Sequence, residues 1–264
     1  MIKIGFIGVG NMATAIIKSL KLNSKEFKIA GFDIDKNFNN TCKKLKIIKC
    51  SSNIELTKIS DVIFLSVKPQ QINDVLSEIK CAIKNKMIIS IAAGISIQKI
   101  KSLLSLKTPV VRIMPNTPVL VGEGVCGYSF SKEVKSKLKK ISEKIIKSFC
   151  KICFQVKEDE IDIITSLSGS GPAYFFYIIE AMIEQAKLFG FNEKKAGILL
   201  AQTLIGAGKL LSITGEEPCM LRKKVTSKGG TTEAAISVFE KQKLKEIVKS
   251  AVLAAYKRAK ELCK

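Results

Sequence analysis

The stretch Ile4–Ile16, "IGFIGVGNMATAI", decides how the first half of the chain is read. It starts as an apolar run of strand character and passes through Gly8-Val9-Gly10-Asn11-Met12-Ala13 into a helical pattern. In such a strand–turn–helix unit Gly8 permits the tight turn and Gly10 lets a pyrophosphate approach the backbone. Ala13 stands where a third glycine would let the helix pack on the strand. The amide groups and dipole at the helix start favour phosphate oxygens. G-x-G-x-x-A spacing alone is a weak signal, but its position between strand and helix makes it specific. It predicts dinucleotide binding.

Working outward, short β-branched runs alternate with helical stretches up to about Val156: "FKIAGFD", "DVIFLSV", "MIISIA", "PVVRIM", "VCGYSF" and "ICFQV". Runs that are apolar on both faces and joined through helices indicate a parallel sheet in an α/β domain. Beyond Glu158 the pattern is almost wholly of period 3.6, as in "YFFYIIEAMIEQAKLFG", "EKKAGILLAQTLIGAGKLLSITG" and "LKEIVKSAVLAAYKRAKELC". The expected organisation is therefore an α/β Rossmann-type dinucleotide-binding domain over residues 1–157, then an all-α domain over residues 158–264. The C-terminal helices are apolar on several faces, which fits either close packing against a second copy or a self-contained helical core.

The second strand ends at Asp33, where a carboxylate can accept hydrogen bonds from an adenosine ribose diol and repel a 2′-phosphate. This favours NADH over NADPH, although "DIDKN" is also good turn chemistry. Later strands end in "SVKP" (Ser66–Pro69), "AAG" (Ala92–Gly94) and "MPNTP" (Met114–Pro118), at the edge of an open sheet where ligands sit. Each can equally be a strand-ending turn. In the helical half, "VTSKGGTTEAA" (Val225–Ala235) is a poor helix interior, because glycine there costs about 1 kcal/mol relative to alanine. A loop is expected, either an ordinary turn or a hydroxyl-rich cradle for a small polar ligand.

The composition sets bounds. The 264 residues carry a formal charge of +21 and are 47% hydrophobic. The lysines are dispersed over nearly every helix, and no basic stripe is interleaved with aromatics. A solvated basic surface is therefore expected rather than a nucleic-acid site. The uninterrupted apolar runs fall short of the roughly 20 residues that span a bilayer, and no leader pattern is evident. A soluble cytoplasmic protein with no membrane partner is expected. Cysteines occur at 42, 50, 81, 126, 150, 153, 219 and 263, and histidine is absent, so no metal site is expected and free thiols are. A redox role for the "CKIC" pair Cys150 and Cys153 lacks a following helix start to lower a thiol pKa.

Taken in order, G-x-G-N-M, "SVKP", "AAG", "MPNTP", "GSGPAY" and "LRKKVTSKGGTTEAA" make the whole chain resemble the Δ1-pyrroline-5-carboxylate reductase family. The resemblance implies reduction of 1-pyrroline-5-carboxylate to L-proline by NAD(P)H, the final step of proline synthesis. It also implies a helical dimerisation domain in a homodimer, with further assembly to a decamer. Carried over to this sequence, it places Gly8, Gly10, Asn11, Met12, Asn53, Val67, Lys68, Pro69, Ala92 and Ala93 around the dinucleotide, with Asn116 near the nicotinamide. Ser227, Gly229, Gly230, Thr231 and Thr232 form the substrate loop, and Thr232 reaches the ring nitrogen. Most family members carry proline where this chain has Lys228. A cyclic imine can enter already protonated, so no dedicated acid–base residue is expected. Two alternatives remain. A 3-hydroxyacid dehydrogenase-like or other imine-reducing enzyme would share the cofactor fold, but Pro172–Tyr177 supplies no catalytic lysine and Lys187 lies too far along. A dinucleotide sensor would bind without turnover.

Overall fold

The computed structural model describes residues 1–262, so Cys263 lies outside the described residues. The strands are β1 (Ile2–Ile7), β2 (Phe27–Phe32), β3 (Ile48–Lys49), β4 (Val62–Leu65), β5 (Met87–Ser90), β6 (Val110–Pro115), β7 (Val125–Phe130) and β8 (Ile152–Gln155). They form one sheet in the order β3-β2-β1-β4-β5-β6-β7-β8, parallel except where β7 runs antiparallel to β6. The exception has a local cause. The Asn116–Gly124 connection holds only a short 3-10 turn, whereas a parallel return needs a crossover of about a dozen residues or more.

Helices α1 (Asn11–Asn23), α2 (Phe38–Leu45), α3 (Asn53–Ile59), α4 (Ile72–Ile79), α5 (Ile97–Leu103) and α6 (Ser136–Lys147) connect the strands. Side chains of successive strand residues point to opposite faces, so two buried clusters form. Ile4, Phe6 and Phe64 lie in one, with Phe6 and Phe64 stacked at 4.5 Å between ring centroids. Ile7, Ile63 and Leu65 lie in the other. Burial on both faces is why these strands read as continuous apolar runs.

The helical half comprises α7 (Ile161–Ile164), a π-helical turn at Thr165–Gly169, and α8 (Gly171–Leu188). It continues with α9 (Glu193–Thr214), α10 (Pro218–Lys224), α11 (Thr231–Lys241) and α12 (Leu244–Leu262). By contacts the chain divides into Met1–Pro172 with the segment from Ala254 onward, and Ala173–Leu253. This division falls downstream of residue 157, because α7 is anchored to the sheet. The buried Arg112 of β6 holds Asp162 at 2.9 Å, and Ile164 packs where a side chain on Gly127 would stand.

Within Ala173–Leu253 the buried residues are only Ala196 and Leu200, while Phe176, Ile198 and Leu211 are exposed. A core that small cannot offset the conformational entropy of ordering these helices. Their apolar faces need a cover. With an 18-residue window of mean hydropathy 1.5, helix α9 is by length and composition alone apolar enough to cross a bilayer, a criterion that core helices of soluble proteins also meet. Counting uninterrupted apolar residues missed it, since Gln202 and Lys209 break the run without lowering the mean far.

Candidate functional site

The first candidate site is built on the β1–α1 turn. Gly8 has φ +85°, a left-handed conformation that costs an L-residue with a side chain roughly 1–2 kcal/mol. A Cβ there would also stand 2.8 Å from the Ser66 carbonyl oxygen. Glycine is therefore required twice over. The Gly8 N–H donates to the Phe32 carbonyl at 2.9 Å, and the Ser66 hydroxyl donates to the Gly8 carbonyl at 2.8 Å, so β2 and β4 grip the turn from both sides. Gly10 is the N-cap of α1 and nothing lies within 4 Å of its missing Cβ. No side chain caps this helix and no acid stands in its first turn. Open space beside uncapped N–H groups fits a phosphate.

A cavity of about 400 Å³ opens at this turn, and Gly8, Gly10, Asp33, Asn53, Val67 and Lys68 line it. Ser66 and Gln71 line it as well, and neither was among the residues expected around the dinucleotide, although Ser66 opens the "SVKP" stretch. Their signal was present in the strand-ending position of Ser66. Asp33 serves the fold and faces the cavity at once: its Oδ2 accepts the Val9 N–H at 2.6 Å and its Oδ1 accepts the Asp35 N–H at 2.9 Å. The turn reading and the ligand reading of "DIDKN" are thus compatible. Asn53, buried at the start of α3, donates from Nδ2 to Glu78 at 2.7 Å, and its Oδ1 is buried without a partner. An orphaned amide oxygen beside the cavity invites a donor from a ligand. Ahead of it, Glu55 accepts both the N–H and the hydroxyl of Ser51 at 2.6 Å, and these bonds hold its carboxyl below the usual range.

The other expected cofactor residues lie outside that cavity lining. Asn11 and Met12 begin α1, and Pro69 opens a 3-10 turn that the Lys68 N–H closes on Gln71 Oε1 at 3.3 Å. Ala92 and Ala93 form the turn after β5, where the Ala92 N–H donates to the Ser90 hydroxyl at 3.3 Å. Asn116 is buried with its amide engaged at both ends. Its Oδ1 accepts the Val125 N–H at 2.9 Å, and its Nδ2 donates to the Ser168 hydroxyl at 3.1 Å. It ties the β6–β7 connection to the π-helical turn.

The second candidate site is the loop between α10 and α11, where the sequence placed one. Gly229 has φ +73° and Gly230 is the N-cap of α11. The Gly229 N–H donates to Glu233 Oε2 at 2.7 Å, and the Gly230 N–H donates to the Ser227 carbonyl at 3.0 Å. Glu233 was missed; an acid three residues beyond an N-cap was the available signal. Thr231 and the half-buried Thr232 occupy the first turn of α11, where N–H groups lack intrahelical acceptors. A carboxylate would find donors there. Lys228 is exposed beside them.

The thiols take no part in either site. The seven described cysteines are free. The Cys153 thiol is pushed up chiefly by its hydrogen bond with Cys150 and then by burial, which disfavours a thiolate.

Comparison with known proteins agrees on one family. A model described as pyrroline-5-carboxylate reductase dimerisation matches residues 158–262, and one described as NADP oxidoreductase coenzyme F420-dependent matches residues 3–94. The chain is 36% identical to the pyrroline-5-carboxylate reductase of Vibrio alginolyticus over 98% of this chain and 97% of the relative. It is 38% identical to that of Methanosarcina acetivorans over 99% of this chain and 98% of the relative. Among solved structures, the NADP-bound pyrroline carboxylate reductase of Plasmodium falciparum matches with a TM-score of 0.92 at 32% identity. The match covers 100% of this chain and 98% of that one.

Proposed function

The chain belongs to the pyrroline-5-carboxylate reductase family, and on that premise we propose that it reduces 1-pyrroline-5-carboxylate to L-proline as the last step of proline synthesis. It is an NAD(P)-dependent oxidoreductase. The observation that carries the reading is the uncapped start of α1 beside the open Gly10 position, in a chain whose second half is matched by the family's dimerisation model.

NAD(P)H, when bound, supplies the hydride. Gly10, Asn11 and Met12 would offer backbone N–H groups to its pyrophosphate, while Gly8, whose N–H is taken by the Phe32 carbonyl, would serve by shaping the turn; Asn53, Val67, Lys68 and Pro69 would flank the dinucleotide, and Ala92, Ala93 and Asn116 would shape the nicotinamide end. Asn116 acts there by holding the β6–β7 connection in place. Each Asp33 oxygen keeps a lone pair beyond its backbone bond, and Asp35 adds a second carboxylate to the cavity. At about 4 Å, repulsion of a 2′-phosphate by one such charge reaches up to about 4 kcal/mol at an effective dielectric near 20. NADH is the better cofactor on this account.

In the other site, Ser227, Thr231 and Thr232 hold the substrate carboxylate with hydroxyls and the N–H groups of the α11 start, and Gly230, whose N–H is taken by the Ser227 carbonyl, shapes the loop. The Gly229 N–H, already taken by Glu233, serves the loop shape instead. The Thr232 hydroxyl accepts the N–H of the protonated imine, which fixes the ring with C5 presented for reduction. The imine proton stays on nitrogen, so no side chain has to exchange a proton during the step. Positioning is the main catalytic device.

Residues 158–264 form the dimerisation and substrate unit, and the exposed faces of α8, α9 and α11 pack against a second copy. Dimers assemble further into a decamer. The protein is cytoplasmic, and its dispersed lysines form a solvated surface rather than a nucleic-acid site; submicromolar binding to DNA at physiological salt would contradict this.

Thr232→Ala tests the reading. The loss of one hydrogen bond of about 0.5–1.5 kcal/mol costs roughly tenfold, and misalignment raises the loss in kcat/KM to about a hundredfold. NADH affinity should stay within a few-fold. Normal turnover, or a defect confined to NADH binding, would place the substrate elsewhere.

A further inference from the structure

A second cavity lies at the opposite edge of the sheet from the Gly8 turn. It sits under the N-terminal ends of β1, β4, β5 and β6, has a volume of about 800 Å³, and is bounded by the ends of α4 and α5 and the start of α6. The proposed reaction uses none of it. In an open parallel sheet ligands bind beyond the opposite, C-terminal strand ends, so the fold itself does not account for a cavity here.

Its chemistry is divided. The floor is aliphatic: Val62, Ile83, Met87 and Leu104 are buried, and Ile141 of α6 closes one side. Lys80, Lys84, Lys107 and Lys137 also line it, and none of the four has a carboxylate within 4.0 Å among the described residues. The other two charged side chains at the cavity are committed. Lys86 donates to the Lys58 and Ser60 carbonyls at 3.2 and 2.6 Å, and Asp61 accepts the Lys3 N–H at 2.9 Å. Unpaired lysines are common on a chain of charge +21, but these four surround a cavity with an aliphatic floor.

We propose that this cavity is a binding site for a small anion with an aliphatic body, of the alkyl phosphate class. Four unpaired cations exceed what one carboxylate neutralises, and a phosphate monoester carries up to two charges and three acceptor oxygens. Among the described residues no aromatic ring lines the cavity, so a nucleobase would find no stacking partner, whereas an alkyl chain matches the Val, Ile, Leu and Met floor. The volume falls in the range of roughly 300–1,000 Å³ usual for small-molecule sites. Helix α6 begins at the cavity with Lys135 as its N-cap and no acid in its first turn, so its own sequence leaves the start of the helix to an outside anion.

The test is calorimetric titration of the full-length protein, saturated with NADH to close the cofactor site, using decyl phosphate below its micelle concentration. Saturable binding at one site per chain is expected, with decanol and inorganic phosphate each at least about tenfold weaker. Lys84 and Lys107 are exposed, so Lys84→Glu/Lys107→Glu should fold and turn over normally yet lose decyl phosphate affinity about tenfold or more, equal to about 1.4 kcal/mol. Leu104→Trp, which fills the floor, should abolish binding. Equal binding of decanol, affinity within twofold in the double variant, or no saturable binding overturns the proposal. Sedimentation with phosphatidic acid vesicles, in place of soluble decyl phosphate binding, would also overturn it and assign the lysines to a membrane surface.

Discussion

Replacing Gly8 and Gly10 separately by alanine should split fold from cofactor binding. At Gly8 the added methyl meets two penalties. The backbone at φ +85° costs an alanine roughly 1–2 kcal/mol. The Cβ also falls 2.8 Å from Ser66 O, 2.9 Å from Ser66 C and 2.9 Å from Val67 Cγ1. The first two are backbone atoms, held because the Ser66 N–H donates to the Ile7 carbonyl at 2.9 Å, so the clash cannot be relieved by a rotamer change. Overpacking of this kind adds about 1–3 kcal/mol, for a total of about 2–5 kcal/mol. That is a large share of the roughly 5–15 kcal/mol that stabilises a typical protein. At Gly10 the backbone has φ −72° and the Cβ position is open, so alanine is unstrained and forfeits at most about 1 kcal/mol as a poorer N-cap. The methyl would, however, occupy the space assigned to the pyrophosphate. Denaturant melts and fluorescence titration with NADH measure both effects. Gly8→Ala should lose about 2–5 kcal/mol of stability, and Gly10→Ala should fold normally while binding NADH at least about tenfold more weakly. A Gly10→Ala protein with parental NADH affinity would refute the placement of the phosphates at α1.

Asp33→Ser should narrow the preference for NADH over NADPH; a parent enzyme with higher kcat/KM for NADPH would reverse our reading of that carboxylate. Sedimentation velocity should find dimers or larger assemblies at assay concentrations, since Ala173–Leu253 buries so little alone, and a fully active monomer would contradict it. Glu133 offers a pH signature. Lys101 at 2.7 Å, and after it the Ser131 hydroxyl, hold its carboxyl down to about 2 from 4.5. A depressed carboxylate stabilises the fold above its unfolded pKa and loses that contribution as pH falls from about 4.5 through about 2. With the pair partly exposed, Glu133→Gln should cost about 1–2 kcal/mol at neutral pH and match the parent in strong acid, as read by denaturant melts across pH.

Much of this was legible in the residues. Periodicity gives the two halves, because a strand buried on both faces and a helix with an apolar stripe leave different repeats in the chain. The glycine turn was readable because few residues other than glycine tolerate φ +85° against a neighbouring backbone. Strand direction was not. "VCGYSF" would read alike either way, and the shortness of the Asn116–Gly124 connection decides it. Nor could the pattern show that Asn116 and Asp33 bond to backbone and side chains distant in sequence, or that Arg112 would anchor α7 through Asp162. Those are tertiary pairings between polar residues, and they leave no periodic trace. The apolar character of helix α9 is spread over a long window that Gln202 and Lys209 interrupt, so a count of unbroken apolar runs passes over it.

The most direct measurement is product formation by the purified full-length chain, given NADH or NADPH with 1-pyrroline-5-carboxylate and, in parallel, with a panel of 2-keto and 3-hydroxy acids. The account predicts one L-proline formed per NAD(P)H oxidised and no oxidation with keto acids or reduction of NAD(P)+ by hydroxy acids. Cofactor binding without proline formation, or faster turnover of a keto or hydroxy acid, would contradict it.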